Sequence, residues 1–238
     1  MSKERIDKLL TDRGLADSRT KAQALIMAGV VLVGERRVEK PSESYSPDAS
    51  IRIKGDTPEA RYVSRGGLKL EAALTEFSIT PARTRCLDIG SSTGGFTDCL
   101  LRHGAASVTC IDAGTNQLDW RLRTDPRVTV LDRTNVRLLQ PDVLPYRPDV
   151  VVADLSFISL SRVLDPLVGA ALPGGHLVLL VKPQFEAGKV EVAKAHGVIT
   201  DPAIHERVTV EVHAALEERG CTVLGWRSEE HTSELQSH

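Results

Sequence analysis

Apolar residues fall into two different rhythms along this chain. Within residues 2–14, Ile6, Leu9 and Leu10 sit at helical spacing, and Gly14 ends the run. Asp17 or Ser18 can cap a second helix that carries Ala22, Leu25 and Ile26 on one face and stops near Gly29. Val30 to Val33 then reads as a short strand, Gly34-Glu35 as a tight turn into another at Arg37-Val38, and Ile51 and Ile53 as a half-buried strand alternating with charges. These elements predict a small α+β domain over residues 1–56. Residues 54–60, with Gly55 and Pro58, break the pattern, and a linker is placed at 57–64.

From Cys86 onward strands and helices alternate. Strands are predicted at 85–89, 107–111, 128–131, 150–154, 176–181 and 222–224, and helices at 96–102, 161–171 and 203–218. Alternation of this kind predicts an α/β domain with a doubly wound, mostly parallel, Rossmann-like sheet over residues 65–226.

Composition changes this picture little, and charge changes it more. The apolar share of 41% suits a globular chain, and no apolar run approaches the ~20 residues that span a bilayer. The amino terminus alternates charges with apolar residues and lacks a signal-peptide core. Cys86, Cys99, Cys110 and Cys221 form no C-x-x-C pair and read as reduced, buried thiols of a cytoplasmic protein, with no metal site. Residues 1–70 hold 14 Lys+Arg against 10 Asp+Glu, whereas the remainder holds 16 against 22. A basic front end on an acidic body points to a polyanion-binding module; chance surface composition explains the charge alone equally well.

The segment from Cys86 to Phe96, Cys-Leu-Asp-Ile-Gly-Ser-Ser-Thr-Gly-Gly-Phe, ends one predicted strand and opens a helix, where doubly wound sheets bind ligands. It has no G-K-[ST] for phosphates, and its glycines at 90, 94 and 95 do not match G-x-G-x-x-G. Asp88, with no phosphate ligand nearby, suits S-adenosylmethionine, whose ammonium needs a carboxylate environment. Gly90, Ser92, Thr93, Gly94, Gly95 and Phe96 complete the expected loop. Asp112 ends the second strand, where an acid takes ribose hydroxyls. Asp132 and Asn135 end the third, near the expected adenine edge. The plainer alternative is that these are loop acids and helix caps.

Asp154 and Lys182 each follow a buried apolar strand, an expensive position for a charge unless it is paired or used. Neighbouring strands would bring the two together, and Lys69 is a third charge, at the start of a helix before the first strand. An Asp with two Lys suits methyl transfer to a ribose hydroxyl, a poor nucleophile that must lose its proton as the methyl arrives. Lys182 is expected to accept that proton, Asp154 to orient Lys182, and Lys69 to be the second cation. A structural ion pair at the sheet edge is the competing explanation.

Together, Arg65-Gly66-Gly67-Leu68-Lys69-Leu70, the loop from Cys86 to Thr97, the run from Asp154 to Leu160 and Val181-Lys182-Pro183-Gln184-Phe185-Glu186 resemble the TlyA (haemolysin A) family. The front segment, with Arg5-Ile6-Asp7-Lys8-Leu9-Leu10, Ser18-Arg19-Thr20-Lys21-Ala22 and the run from Met27 to Val33, resembles the RNA-binding domain named after ribosomal protein S-four. The resemblance implies an FtsJ-like, class I methyltransferase sheet that uses S-adenosylmethionine. It also implies 2′-O-methylation of cytidines in ribosomal RNA of one or both subunits. A Lys-Asp-Lys-Glu tetrad is implied too, whose first three members fall on Lys69, Asp154 and Lys182. Arg5, Arg19, Lys21 and Arg65 are the expected RNA contacts.

The resemblance fades after Trp226. Residues 227–238 have no apolar periodicity and read as the translation of a sequencing adapter, so the natural coding sequence is expected to differ from there. Glu229, Glu230 and Glu234 are accordingly not assigned as the fourth tetrad member, and unpaired strand edges are expected where a last strand is missing. The rival reading is a non-catalytic ribosomal-RNA-binding or assembly factor, or a fragment with impaired catalysis. A pore-forming cytolysin would need membrane-active segments that the sequence lacks.

Overall fold

The computed structural model describes residues 3–16, 18–27, 29–53, 61–188, 191–192 and 199–228. The expected cap Asp17, the linker residues 54–60 and the tail from 229 lie outside the described residues. The chain divides into two compact units, Met1–Arg61 and Tyr62–His238.

In the first unit, β1 (Glu4–Arg5) pairs antiparallel with β4 (Ser44–Tyr45), and β2 (Val31–Val33) lies between β3 (Arg36–Arg37) and β5 (Ile51–Ile53). The helices α1 (Ile6–Asp12) and α2 (Arg19–Met27) pack on these strands. Ile6, Leu10, Ala22 and Ile26 meet Val31, Val38 and Ile53 in a single small core, as the helical spacing predicts. Ser18 Oγ accepts from the Lys21 backbone N–H at 3.2 Å, and Gly29, at φ 71°, turns the chain out of α2.

The second unit is built on a five-stranded, all-parallel sheet in the order β10-β9-β6-β7-β8. Its strands are β6 (Arg85–Ile89), β7 (Ser107–Ile111), β8 (Val128–Leu131), β9 (Val150–Ala153) and β10 (His176–Leu179). Alternate residues serve opposite faces. Cys86, Val108, Cys110, Val150 and Val152 pack beneath α3 (Gly66–Glu76) and α4 (Gly95–Arg102). Leu87, Ile89, Ile111, Val151 and Ala153 pack against α6 (Leu164–Ala170) and α8 (Pro202–Glu217). Two shorter helices, α5 (Trp120–Arg123) and α7 (Pro183–Glu186), follow β7 and β10.

Three expectations change. Residues 222–224 form no strand, because β propensity is realised through a ladder partner and none pairs with them among the described strands. The residues that follow, 225–227, lie beside α3 and α8, with Gly225 against Phe77, Trp226 Nε1 donating to His213 Nδ1 at 3.4 Å, and Arg227 paired with Glu76 at 2.8 Å. The helix expected at 161–171 breaks at Val163 (φ −130°) into a 3₁₀ turn, Leu160–Arg162, and α6. Residues 62–64, expected in the linker, belong to the second unit: Tyr62 is buried, and the Val63 backbone N–H donates to Asp98 Oδ2 at 2.9 Å. Among the described residues, no helix is long and apolar enough to cross a membrane.

Candidate active site

From β6 the chain winds outward through β7 to β8, then crosses back to β9 and β10 on the other side. The order therefore reverses between β6 and β9, and at such a point the loops after the two strands diverge and open a crevice at their carboxyl ends. Asp88 and Gly90 lie at the end of β6, Asp112 follows β7, Asp154 follows β9, and Lys182 comes three residues after β10.

Glycine shapes this crevice because its backbone comes too close to its neighbours for a side chain. Gly90 has φ 79°, and a β-carbon there would lie 2.8 Å from the Asp154 carbonyl oxygen. Gly95 likewise lets the chain entering α3 close on α4, since a β-carbon would lie 2.3 Å from Ser64 Oγ and 3.0 Å from the Gly67 nitrogen. Gly94, at φ 96°, is the residue from which α4 starts.

Asp88 is 1% exposed. Thr97 Oγ1 donates to its Oδ2 at 2.6 Å, while Oδ1 is buried with no hydrogen-bond partner among the described residues. Burial pushes this carboxyl up to about 7, against the pull of the Thr97 bonds. An orphaned buried carboxylate oxygen beside a glycine cradle fits a cationic amino-acid head such as that of S-adenosylmethionine. Asp112 is held differently: its Oδ2 accepts the Ser92 N–H at 2.8 Å and its Oδ1 the Gly114 N–H at 2.7 Å. Those bonds fix the carboxylate and leave lone pairs for a diol.

Across the crevice, Lys182 Nζ lies 2.6 Å from Asp154 Oδ1. The ammonium is off the hydrogen-bonding direction of that oxygen, and its aligned bond goes to Ser156 Oγ at 2.9 Å. Lys182 also stands 5.9 Å from the centre of the Phe185 ring. The loop after Asp154 is latched by Glu186, whose carboxylate accepts from Ser159 Oγ at 2.6 Å and from the Leu160 N–H at 2.8 Å. Phe157, at the tip of that loop, is 90% exposed, has φ 63°, and sits 5.3 Å from the Phe185 ring.

Lys69 is half-buried on α3 and, with Lys182, lines a groove of 1130 Å³ that runs along β10. This groove is distinct from the crevice at the strand ends, for Phe96 alone among the residues expected to bind the cofactor lines it. Phe96 is itself a core side chain, whereas Ser92 and Thr93 are exposed. Asp132 pairs with Arg123 at 2.9 Å, and Asn135 Oδ1 caps the 3₁₀ turn at the Arg137 N–H, so each has a structural task. Arg65 is exposed where α3 begins. Arg5, Arg19 and Lys21 belong to the first unit. Among the described residues no group of three or more His, Cys, Asp and Glu is arranged to hold a metal ion. Cys86, Cys99 and Cys110 are buried, and burial pushes the Cys86 thiol up to about 11, which keeps it protonated.

Comparison with known proteins sets this geometry in a family. The FtsJ-like methyltransferase profile matches residues 62–231 and the S4 domain profile matches residues 4–51. The 16S/23S rRNA (cytidine-2′-O)-methyltransferase TlyA of Mycobacterium tuberculosis is 48% identical over 224 residues, covering 94% of this chain and 81% of the relative. The chain belongs to the TlyA family of FtsJ-like methyltransferases. A further relative, Hemolysin A of Brachyspira hyodysenteriae, is 39% identical over 206 residues, covering 86% of this chain and 84% of the relative. A solved "putative hemolysin" of Streptococcus thermophilus has 42% identity and a TM-score of 0.66, covering 91% of this chain and 79% of its own.

Within this TlyA-family site, sequence reasoning missed Thr97, Ser156, Phe157 and Glu186. Ser156, Phe157 and Glu186 all fall inside the runs that carry the family resemblance. Their signal was available as polar or aromatic residues in the turns directly after Asp154 and Lys182. Thr97, one helical turn into α4, carried no signal apart from its place in the loop.

Proposed function

We propose that this chain catalyses S-adenosylmethionine-dependent methylation of a ribose 2′-hydroxyl, that of a cytidine, in ribosomal RNA. The observation that carries the reading is the Lys182–Asp154 pair, 2.6 Å apart, at the switch point beside the Asp88–Gly95 loop. The bound cofactor supplies an electrophilic methyl group. Asp88 faces its ammonium, Asp112 takes its ribose hydroxyls, and Gly90, Ser92, Thr93, Gly94, Gly95 and Phe96 form the loop around it, with Asp132 and Asn135 on the adenine side.

On the acceptor side, Lys182 Nζ, entering the step as the neutral amine, takes up the proton of the 2′-hydroxyl as methyl transfer proceeds. Asp154 holds the ammonium formed at Lys182, and Ser156 fixes its direction. Lys69 is the second cation. The exposed Phe157 ring, with Phe185 behind it, offers a stacking face to a base turned out of its helix. In the first unit Arg5, Arg19 and Lys21, with Arg65 in the second, contact phosphates and bring ribosomal RNA or a whole subunit to the site. Such a substrate places the protein in the cytoplasm. No step calls on a metal or a membrane.

The test is transfer of labelled methyl from S-adenosylmethionine to ribosomal subunits lacking the modification. Label on a ribose 2′-oxygen that disappears with Lys182→Ala supports the reading. Absence of label with either subunit, while cofactor and RNA both bind, would turn the conclusion to a non-catalytic RNA-binding factor.

A further inference from the structure

The first unit contains a charge cluster whose arginines the proposed function uses as RNA contacts but whose aspartate it leaves without a role. Asp7, on α1, has no exposed side-chain surface. Arg5 Nε donates to its Oδ1 at 3.0 Å and Arg5 Nη2 to its Oδ2 at 2.8 Å, a two-pronged grip. Arg19, from the start of α2, donates Nε to Oδ2 at 3.1 Å and Nη2 to Oδ1 at 3.4 Å. Gln23 Nε2 adds a bond to Oδ2 at 3.1 Å. Two guanidinium groups, one from β1 and one from α2, are thus fixed to one carboxylate.

The cluster is unbalanced in charge and in exposure. Two cations meet one anion, so one positive charge is left over, while the arginine side chains are 46% and 56% exposed around a carboxylate that is sealed by its partners. A guanidinium has five N–H groups, and using two on Asp7 leaves each arginine about three for an outside acceptor. As a stabilising device the arrangement is weak, because a buried carboxylate with exposed partners gains little over apolar packing. As a template it is effective, because an arginine already held in place loses less rotamer freedom when it takes a phosphate.

We infer that Asp7 is a positioning residue for RNA binding, which locks Arg5 and Arg19 together so that their outward N–H groups form one phosphate-binding fork. This rests on the reading of Arg5 and Arg19 as RNA contacts, and it adds a consequence that charge alone does not. Asp7→Asn removes a negative charge from a polyanion-binding unit. If the arginines act by charge, affinity for RNA rises; if Asp7 positions them, affinity falls although the protein has become more positive.

The experiment measures binding of the full chain to large-subunit ribosomal RNA transcribed in vitro, across a salt series, with thermal melting followed in parallel. Asp7→Asn is expected to weaken binding about tenfold at low salt and to reduce the salt slope by about one phosphate contact. Equal or tighter binding by a folded Asp7→Asn protein would overturn the inference. Should that variant fail to fold, Arg5→Lys with Arg19→Lys decides instead, because it keeps both charges and Asp7 but loses the planar fork. A similar loss then supports the inference, and wild-type affinity overturns it. The underlying reading is tested separately: Arg5→Gln with Arg19→Gln leaves RNA affinity unchanged only if these arginines do not contact RNA at all.

Discussion

Asp7 in the first unit and Asp88 in the second are aspartates with almost no exposed surface, yet they are driven in opposite directions. The Arg5 side-chain bond, helped by Gln23 and Arg19, holds the Asp7 carboxyl far below the ordinary carboxylate range. Among the described residues Asp88 has only Thr97 as a side-chain donor, and desolvation raises it to about 7. The first carboxylate has its cations built into the fold. The second has one oxygen with no partner among the described residues, as the proposed binding of a cationic head there requires. A buried acid is thus informative through what surrounds it, more than through its burial.

The sharpest way to separate the two regions is to disable each in turn. Lys182→Ala is expected to lower methyl transfer by about 100- to 10,000-fold, while binding of S-adenosylmethionine and of RNA stays at the wild-type level. Turnover rates and the two dissociation constants check this, and an unchanged rate would remove Lys182 from the reaction. Conversely, neutralising Arg5, Arg19 and Lys21 together should weaken RNA binding by tens of fold and lower the salt slope by about two to three, with cofactor affinity unaltered. A salt slope equal to that of the wild type would argue that the first unit does not hold phosphates.

The carboxylates themselves give smaller effects with opposite signs. A cation bound beside Asp88 favours its ionised form, so binding of S-adenosylmethionine should tighten with rising pH, by up to about tenfold per unit below 7, and level off above. Calorimetry in buffers of different ionisation enthalpy would detect the released proton, and Asp88→Asn should flatten the profile. A flat wild-type profile would break the contrast between the two acids.

Stability shows the same linkage without any ligand. The folded-state value of Asp88 lies above its unfolded value of ~3.9, so the folded protein keeps a proton that the unfolded chain has lost. Its contribution therefore falls as pH rises from about 4 to about 7, by no more than about 1.4 kcal/mol per unit. Asp7 behaves inversely, stabilising above the unfolded value and losing that contribution as pH falls through its depressed folded value. Trp120 and Trp226 both lie in the second unit, so urea unfolding followed by tryptophan fluorescence reports on Asp88. Relative to wild type, Asp88→Asn is expected to gain stability at pH 8 and little at pH 4.

How much of this was legible beforehand differs between elements. The parallel strands were readable because each is an apolar run bounded by turn residues, and β6, β7 and β8 have the expected limits of 85–89, 107–111 and 128–131. Residues 222–224 misled because a strand exists only when a partner offers a ladder, and a local pattern of Thr, Val and Leu does not reveal whether one does. The break at Val163 was equally hidden, since 160–171 keep helical spacing on either side of it.

For the site, sequence alone determined which residue types stand at the strand ends. Asp112 and Asp154 were identifiable because a charge directly after a buried strand needs a reason, Lys182 because it ends an apolar run, Asp88 because it stands two residues before the first glycine of the loop, and the glycines between 90 and 95 because a close backbone approach excludes side chains. Only the tertiary structure decided which of these charges meet. Strand order brings β6 beside β9, and Lys182 to within 2.6 Å of Asp154, while Asp132 turns to Arg123. It alone leaves Asp88 Oδ1 without a partner among the described residues and surrounds Asp7 with two arginines. The physical reason is that a residue's chemistry is local, but its desolvation and its partners are set by segments distant in sequence, and those two quantities fix whether a buried charge is structural or awaits a ligand.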